Sequence, residues 1–148
     1  MKKRIGIIVT GLLLLLAGLP ALAENSTVAN GYTIHHNALT TDMLPKDVAR
    51  AYHIQRSKSR GMLNVSIIKN IPGTTGQAVP AHVRVFAANL NGQTKTIPMR
   101  EIREDNAIYY IGDFRINNEE TLKFTIEVWL PGERKPYIAK LSQEFFTS

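Results

Sequence analysis

The sequence predicts an all-β protein: an antiparallel two-sheet sandwich of immunoglobulin-like kind, with about seven strands and one short helix. Three observations lead there. Short runs of alternating apolar and polar residues recur from residue 32 to residue 146. Turn residues (Gly, Pro, Asn) separate the runs, and only one short stretch has helical spacing. A closed barrel is the alternative architecture for such a pattern.

Ahead of the strands, the first 23 residues have the three parts of an export signal. Lys2, Lys3 and Arg4 give a positive start, residues 5–19 are an almost unbroken apolar run, and Ala21-Leu22-Ala23 supplies small residues for a peptidase after the helix-breaking Pro20. Cleavage is expected after Ala23. A membrane anchor is the competing reading, but a spanning helix takes about 20 apolar residues, and this run is shorter and ends in Ala-x-Ala. No cysteine stands at the junction to carry a lipid, and no Arg-Arg pair precedes the run to direct twin-arginine export. The expected address is therefore the periplasm, with no membrane span after cleavage.

The expected mature part is one domain, residues 24–148, 125 residues long and large enough for a hydrophobic core without covalent staples. It has no cysteine, which excludes disulfides, thiol catalysis and thiolate metal sites. The net charge of +6 falls to +3 once the three leader cations are removed, too even a balance to suggest nucleic acid.

Along this domain, residues 24–31 are polar and read as a loose start. A first strand covers 32–38. A short helix follows, with Asp42 placed to cap it, Pro45 near its first turn, and Val48, Ala49 and Tyr52 on one side. Residues 62–69 form a strand with Leu63, Val65 and Ile67 facing in. Pro72, Gly73, Gly76 and Pro80 make 71–80 a loop. Asn91-Gly92 joins the runs 82–90 and 93–102 as a hairpin, because both residues tolerate positive φ. Pro98 marks the second arm as an edge or a bulge. Residues 106–116 are apolar on both faces, as in a deeply buried strand. Residues 121–130 alternate cleanly, with Leu122, Phe124, Ile126, Val128 and Leu130 inward. A last strand spans 137–146.

Chemistry is sparse. His35 and His36 are adjacent, so a strand would point them to opposite faces, and His53 and His82 are far away. None has an acid at ligand-like spacing, so no metal and no cofactor are expected. Glu101, Glu104 and Asp105 interleave with Arg100 and Arg103 as in a solvated, internally paired face. Asp113, inside the apolar strand, either faces outward or pairs with an arginine near the sheet edge. No hydrolase, phosphate-loop or zinc-protease motif occurs, and enzymatic activity is not expected.

Two surfaces stand out. Carrying the alternation of 62–69 backward places Ser57 and Ser59 inward and lines up Arg56, Lys58 and Arg60 outward, roughly 6–7 Å apart at a rise of ~3.3 Å per residue. Such a stripe suits an anion or an acidic partner; it equally suits an edge strand protected against aggregation. The second surface comprises Trp129, Phe86 and Leu90, which oppose the core-facing residues of their runs. They either find cover inside the molecule or form a partner patch.

The run Tyr52-His53-Ile54-Gln55-Arg56-Ser57-Lys58-Ser59-Arg60-Gly61-Met62-Leu63-Asn64-Val65-Ser66 adds a resemblance, together with Arg100-Glu101-Ile102-Arg103-Glu104, Ala107-Ile108-Tyr109-Tyr110 and Asn118-Glu119-Glu120-Thr121-Leu122. These segments resemble the domain of unknown function 4426, secreted proteins of gammaproteobacteria. The resemblance spans nearly all of the mature chain and implies a periplasmic address. It brings no activity and no functional residues. The expected function is a non-catalytic interaction module docking a protein partner or an envelope component. Binding of an anionic, phosphate- or carboxylate-bearing lipid or glycan is one alternative, and an unrecognised enzyme or metal protein is another.

Overall fold

Among the described residues the alternating runs pair into ten antiparallel strands, stacked as a sandwich of two sheets with no closed barrel. The computed structural model describes residues 25–148, so the predicted leader and the expected cleavage after Ala23 lie outside the described residues. The strands are β1 (Asn25–Ala29), β2 (Tyr32–Thr40), β3 (Arg60–Lys69), β4 (Gln77–Ala78), β5 (His82–Ala88), β6 (Thr94–Ile97), β7 (Arg100–Glu104), β8 (Ala107–Arg115), β9 (Glu120–Trp129) and β10 (Tyr137–Phe145). Sheet A runs β1-β2-β3-β8-β7, with β4 also on β3, and sheet B runs β10-β9-β5-β6.

Three strands exceed the predicted seven. The start expected to be loose is β1 from Asn25 on, paired to β2 with Ala29 opposite Tyr32. Asn30 and Gly31, at φ of 48° and 82°, make the two-residue turn between them. The stretch 71–80, read as a loop, contains the two-residue β4. The expected single strand 93–102 is two: β6 ends in sheet B at Ile97, the chain crosses at Pro98-Met99, and β7 begins in sheet A. Proline lacks the ladder N–H, so it sits where the chain leaves one sheet for the other. The predicted hairpin joins β5 and β6, but its turn spans Asn89–Gly92: the Gly92 N–H donates to the Asn89 carbonyl at 3.1 Å, and Gly92 and not Asn91 takes positive φ. The Asn89 side-chain oxygen accepts from the N–H groups of Asn91 (3.0 Å) and Gln93 (2.9 Å).

The main core lies between the sheets. Ile34, Leu63, Val65 and Ile67 of sheet A meet Val85, Phe124, Ile126 and Val128 of sheet B, all essentially without exposure. Phe114, Phe124 and Phe145 form a ring triangle with centroids 5.4–6.5 Å apart. A second core covers the opposite face of sheet A. There a 3-10 turn (Thr41–Met43), the helix α1 (Lys46–Ala51) and the chain after it lay Leu44, Val48, Ala49, Tyr52 and Ile54 on Leu39, Met62, Tyr109 and Ile111. Residues 106–116 are apolar on both faces because both faces are covered. Asp42 is not the helix cap. It falls in the 3-10 turn, and Pro45, extended at ψ 146°, occupies the N-cap position without a side-chain bond.

Gly112, on β8, marks the tightest approach to the crossover. A Cβ there would lie 2.6 Å from the Pro98 carbonyl oxygen and from Met99 Sδ. Gly112→Ala is therefore expected to cost about 1–3 kcal/mol by overpacking. Urea unfolding checks this, with a lower midpoint at unchanged slope.

Candidate functional site

The basic segment does not continue β3. The strand starts at Arg60 and lies inside sheet A, between β2 and β8, so it is not an edge. Ahead of it the chain is held by the fully buried Thr41, whose hydroxyl donates to the carbonyls of Gln55 (2.7 Å) and Ser57 (3.1 Å) and accepts from the Ser57 N–H (2.8 Å). Ser57 and Ser59 are in a tight turn, their hydroxyls 2.9 Å apart, with Ser59 exposed instead of facing the core. The three cations are thus not in a row. Arg56 donates to the carbonyls of Leu44 (2.7 Å) and Asp42 (2.8 Å), and Arg60 forms an ion pair with Asp113 across the ladder, its Nε 3.0 Å from Oδ2. Lys58 is exposed at the turn. Asp113 does pair with an arginine, as one of its two sequence readings had it, though at the end of an interior strand.

The Trp129 surface is assembled. On the outer face of sheet B, His82 stands opposite Trp129, Arg84 opposite Glu127 and Phe86 opposite Thr125. The Arg84 guanidinium lies over both Trp129 and Phe86, 5.3 Å from each ring centroid, and its Nε is 2.6 Å from Glu127 Oε1. The His82 and Trp129 rings tilt together at 5.1 Å. A planar cation between two rings and paired to a carboxylate has little rotamer freedom left. Leu90 lies past the end of β5 and is 70% exposed. Sequence reading named both rings but passed over Arg84; the signal was the His82-x-Arg84-x-Phe86 alternation with Trp129 in the pairing strand.

The remaining candidates disperse or pair. His36 points into the sandwich, its Nε2 3.3 Å from Thr27 Oγ1, while His35 is on the other face of β2. His53 follows α1 at φ 55°, and His82 is on sheet B. Glu101 pairs with Arg103 at 2.9 Å and accepts the Tyr110 hydroxyl at 2.8 Å, and these contacts hold its carboxyl below the usual carboxylate range. The Tyr110 oxygen in turn accepts the Ala81 N–H at 2.9 Å, tying sheet A to the start of β5.

Residues 26–148 match the family model described as Domain of unknown function (DUF4426). The chain belongs to the DUF4426 family. A crystal structure of a DUF4426 family protein from Pseudomonas aeruginosa PAO1 is 31% identical to it, with a TM-score of 0.71 over 83% of this chain and 94% of that one. A copper-bound variant of FetP from uropathogenic Escherichia coli strain F11 is 12% identical, with a TM-score of 0.56 over 84% and 95% of the two chains. FetP of the same strain, as isolated after expression in the periplasm of E. coli, gives 15%, 0.52, 84% and 93%. At these identities the two FetP structures share the fold. No curated protein matches the chain.

One buried polar cluster in this DUF4426 domain corrects the reading of Glu104 as part of a solvated, internally paired run: of that run only Glu101 and Arg103 pair among the described residues, and Arg100 reaches the Tyr52 carbonyl. Beneath the helical layer, the hydroxyls of Tyr52 and Tyr109 and one carboxylate oxygen of Glu104 are buried without a hydrogen-bond partner among the described residues. Burial, with Glu104 nearby, pushes Tyr52 to about 12; burial, with Tyr52 and Glu104, does the same to Tyr109. Burial, with Asp105 adding to it, holds the Glu104 carboxyl above the usual range.

Two predictions follow from these contacts. Arg56→Ala is expected to destabilise by about 1.5–3 kcal/mol, because it removes two charge-assisted bonds to carbonyls. Lys58→Ala is expected to stay within about 0.5 kcal/mol, and thermal unfolding compares the two. For the phenols, folded values above the unfolded value of about 10 mean that stability is undiminished below pH 10 and falls as pH rises through about 12, because burial penalises the ionised form. Tyr109→Phe should flatten that alkaline loss and be neutral or stabilising near pH 8, since its hydroxyl has no partner among the described residues. Urea titrations at the two pH values read both effects.

Proposed function

We propose that this DUF4426 domain is a non-catalytic periplasmic interaction module that docks a protein partner on the outer face of sheet B. The observation that carries the reading is the asymmetry of the two outer faces. Sheet A is covered by the domain's own helical layer, whereas sheet B carries Trp129, Arg84 and Phe86 with no layer over them among the described residues. Trp and Arg are the side chains that most often dominate protein interfaces. Here they are already fixed by mutual stacking and by Glu127, so less ordering entropy is lost on binding. The exposed Leu90 and Ile138 and the cations Lys123 and Lys140 would form the rim.

The basic segment supports an anionic ligand less well. Such a ligand would have to draw Arg56 from the Leu44 and Asp42 carbonyls and Arg60 from Asp113, which leaves Lys58 as its ready contact. Metal binding is suggested by the copper-bound FetP variant, but an identity of 12% carries the fold and not the ligands. Among the described residues no group of three or more His, Asp or Glu side chains is gathered for a metal.

Photo-crosslinking in cells tests the proposal, with the reactive residue placed at position 86 in one strain and at position 58 in another. The expected result is a discrete protein adduct from position 86 that disappears in Trp129→Ala and Arg84→Ala variants of unchanged melting temperature. Truncation at such an anchor is expected to weaken binding by about 2 kcal/mol or more. Adducts from position 58 alone would transfer the role to the basic segment, and adducts from neither would end the reading.

A further inference from the structure

Among the described residues β10 is the longest edge strand of the sandwich. Its nine residues pair with β9 on one side, whereas the other strands at sheet ends, β1, β6 and β7, have five, four and five residues. Open edges invite pairing with another chain unless charge or proline blocks them. β7 is blocked by Arg100, Glu101, Arg103 and Glu104, and β6 carries Lys95. β10 has no proline. On its outer face it shows Ile138, Lys140, Ser142 and Glu144, continued by Phe146, and all five are exposed. Ile138 and Phe146 are 45% and 56% exposed, unusually high for large apolar side chains in this domain.

This row is complementary to itself. An antiparallel pairing that sets Ser142 against Ser142 of a second copy places Lys140 opposite Glu144 twice and Ile138 opposite Phe146 twice. Shifting the centre to Lys140 sets ammonium against ammonium, and centring on Leu141 or Gln143 leaves both charges without an opposite. A two-fold interface requires such self-complementarity, because the same patch serves both subunits. A lone Lys140 would protect the edge; Glu144 four residues on offsets that protection for a strand of matching charge order, which a second copy of this chain supplies in this register. We infer that the protein forms a symmetric dimer through β10, with the axis at Ser142 joining the two sheets B into one eight-stranded sheet. Among the described residues no strand pairs with β10 on its other side, although β1 and β2 of sheet A pass close to it.

Light scattering on the mature chain, combined with a cysteine introduced at the axis, tests this. The chain has no cysteine of its own, so Ser142→Cys reports alone. Residues directly opposed in antiparallel strands have Cα atoms about 4.5 or 5.5 Å apart, and both separations lie within disulfide range. The expected results are a dimer for the wild type and rapid covalent dimerisation of Ser142→Cys, with Lys123→Cys on the same face failing to cross-link. Lys140→Glu and Glu144→Lys should each weaken the dimer by about tenfold or more, and the two together should restore it. A wild type that stays monomeric at every concentration would overturn the inference. So would Ser142→Cys cross-linking no faster than Lys123→Cys, or charge reversals without effect in variants that melt like the wild type. If a reversal fails to fold, the cysteine pair decides alone.

Discussion

Everything in this domain turns on the need to cover sheet A twice. β3 and β8 lie inside that sheet and are apolar on both sides: Leu63, Val65, Tyr110 and Phe114 face one way, Met62, Tyr109 and Ile111 the other. Sheet B covers the first face. The second is covered by a short helical layer of the chain's own, and a six-residue helix has no stability by itself. It stays in place because polar side chains tie it down. Thr41 fixes the segment after α1, Arg56 closes on two carbonyls of the segment before it, and Arg100 of β7 reaches the carbonyl of Tyr52. Cations that would otherwise be free for a ligand are thus part of the clamp that keeps a second core dry.

Sheet B solves the same problem with less material. β5 and β9 alternate cleanly, so only one of their faces needs burial, and the outer face can stay wet. The two aromatic rings on that face still need cover, and Arg84 supplies it by lying over both, with Glu127 fixing its direction. A guanidinium does on one sheet what a helix and a loop do on the other. The cover differs in kind, however: a stacked cation remains accessible at its edges and a packed helix does not. The difference in exposure between the two faces therefore follows from the difference in their strand patterns.

That asymmetry was partly legible in the sequence. Clean alternation in 121–130 and two-sided apolarity in 106–116 reported the wet and dry faces directly, because burial is what patterns a strand. The Asn91-Gly92 signal was read and the tighter two-residue turn at Asn30-Gly31 was not, since β1 is a polar edge strand that buries only Ala29 and so lacks the alternation that would have announced it. A strand that changes sheets, as 93–102 does, keeps its pattern through the crossing, and only Pro98 hinted at the break. The basic segment was misread for a different reason. Extending the alternation past Arg60 is a local argument, and what stops the strand there is Thr41, sixteen residues before Ser57. Likewise Asp113 called for an arginine, and the one it takes is fifty-three residues away.

Family membership and shared architecture leave the function to this chain's own side chains. A sandwich persists across identities of 12–15% because its core needs only apolar residues at alternate positions, and sites are grafted onto such frames afterwards. The histidines illustrate how closely the frame governs what can be grafted. His35 and His36 are neighbours in sequence, yet β2 sends one inward to Thr27 and the other to the opposite face. Bringing them together would require breaking the ladder between β2 and β3 at the centre of sheet A. The outer face of sheet B carries no such constraint. Its residues can change without disturbing either core, so it is the part of this fold most free to take on a partner.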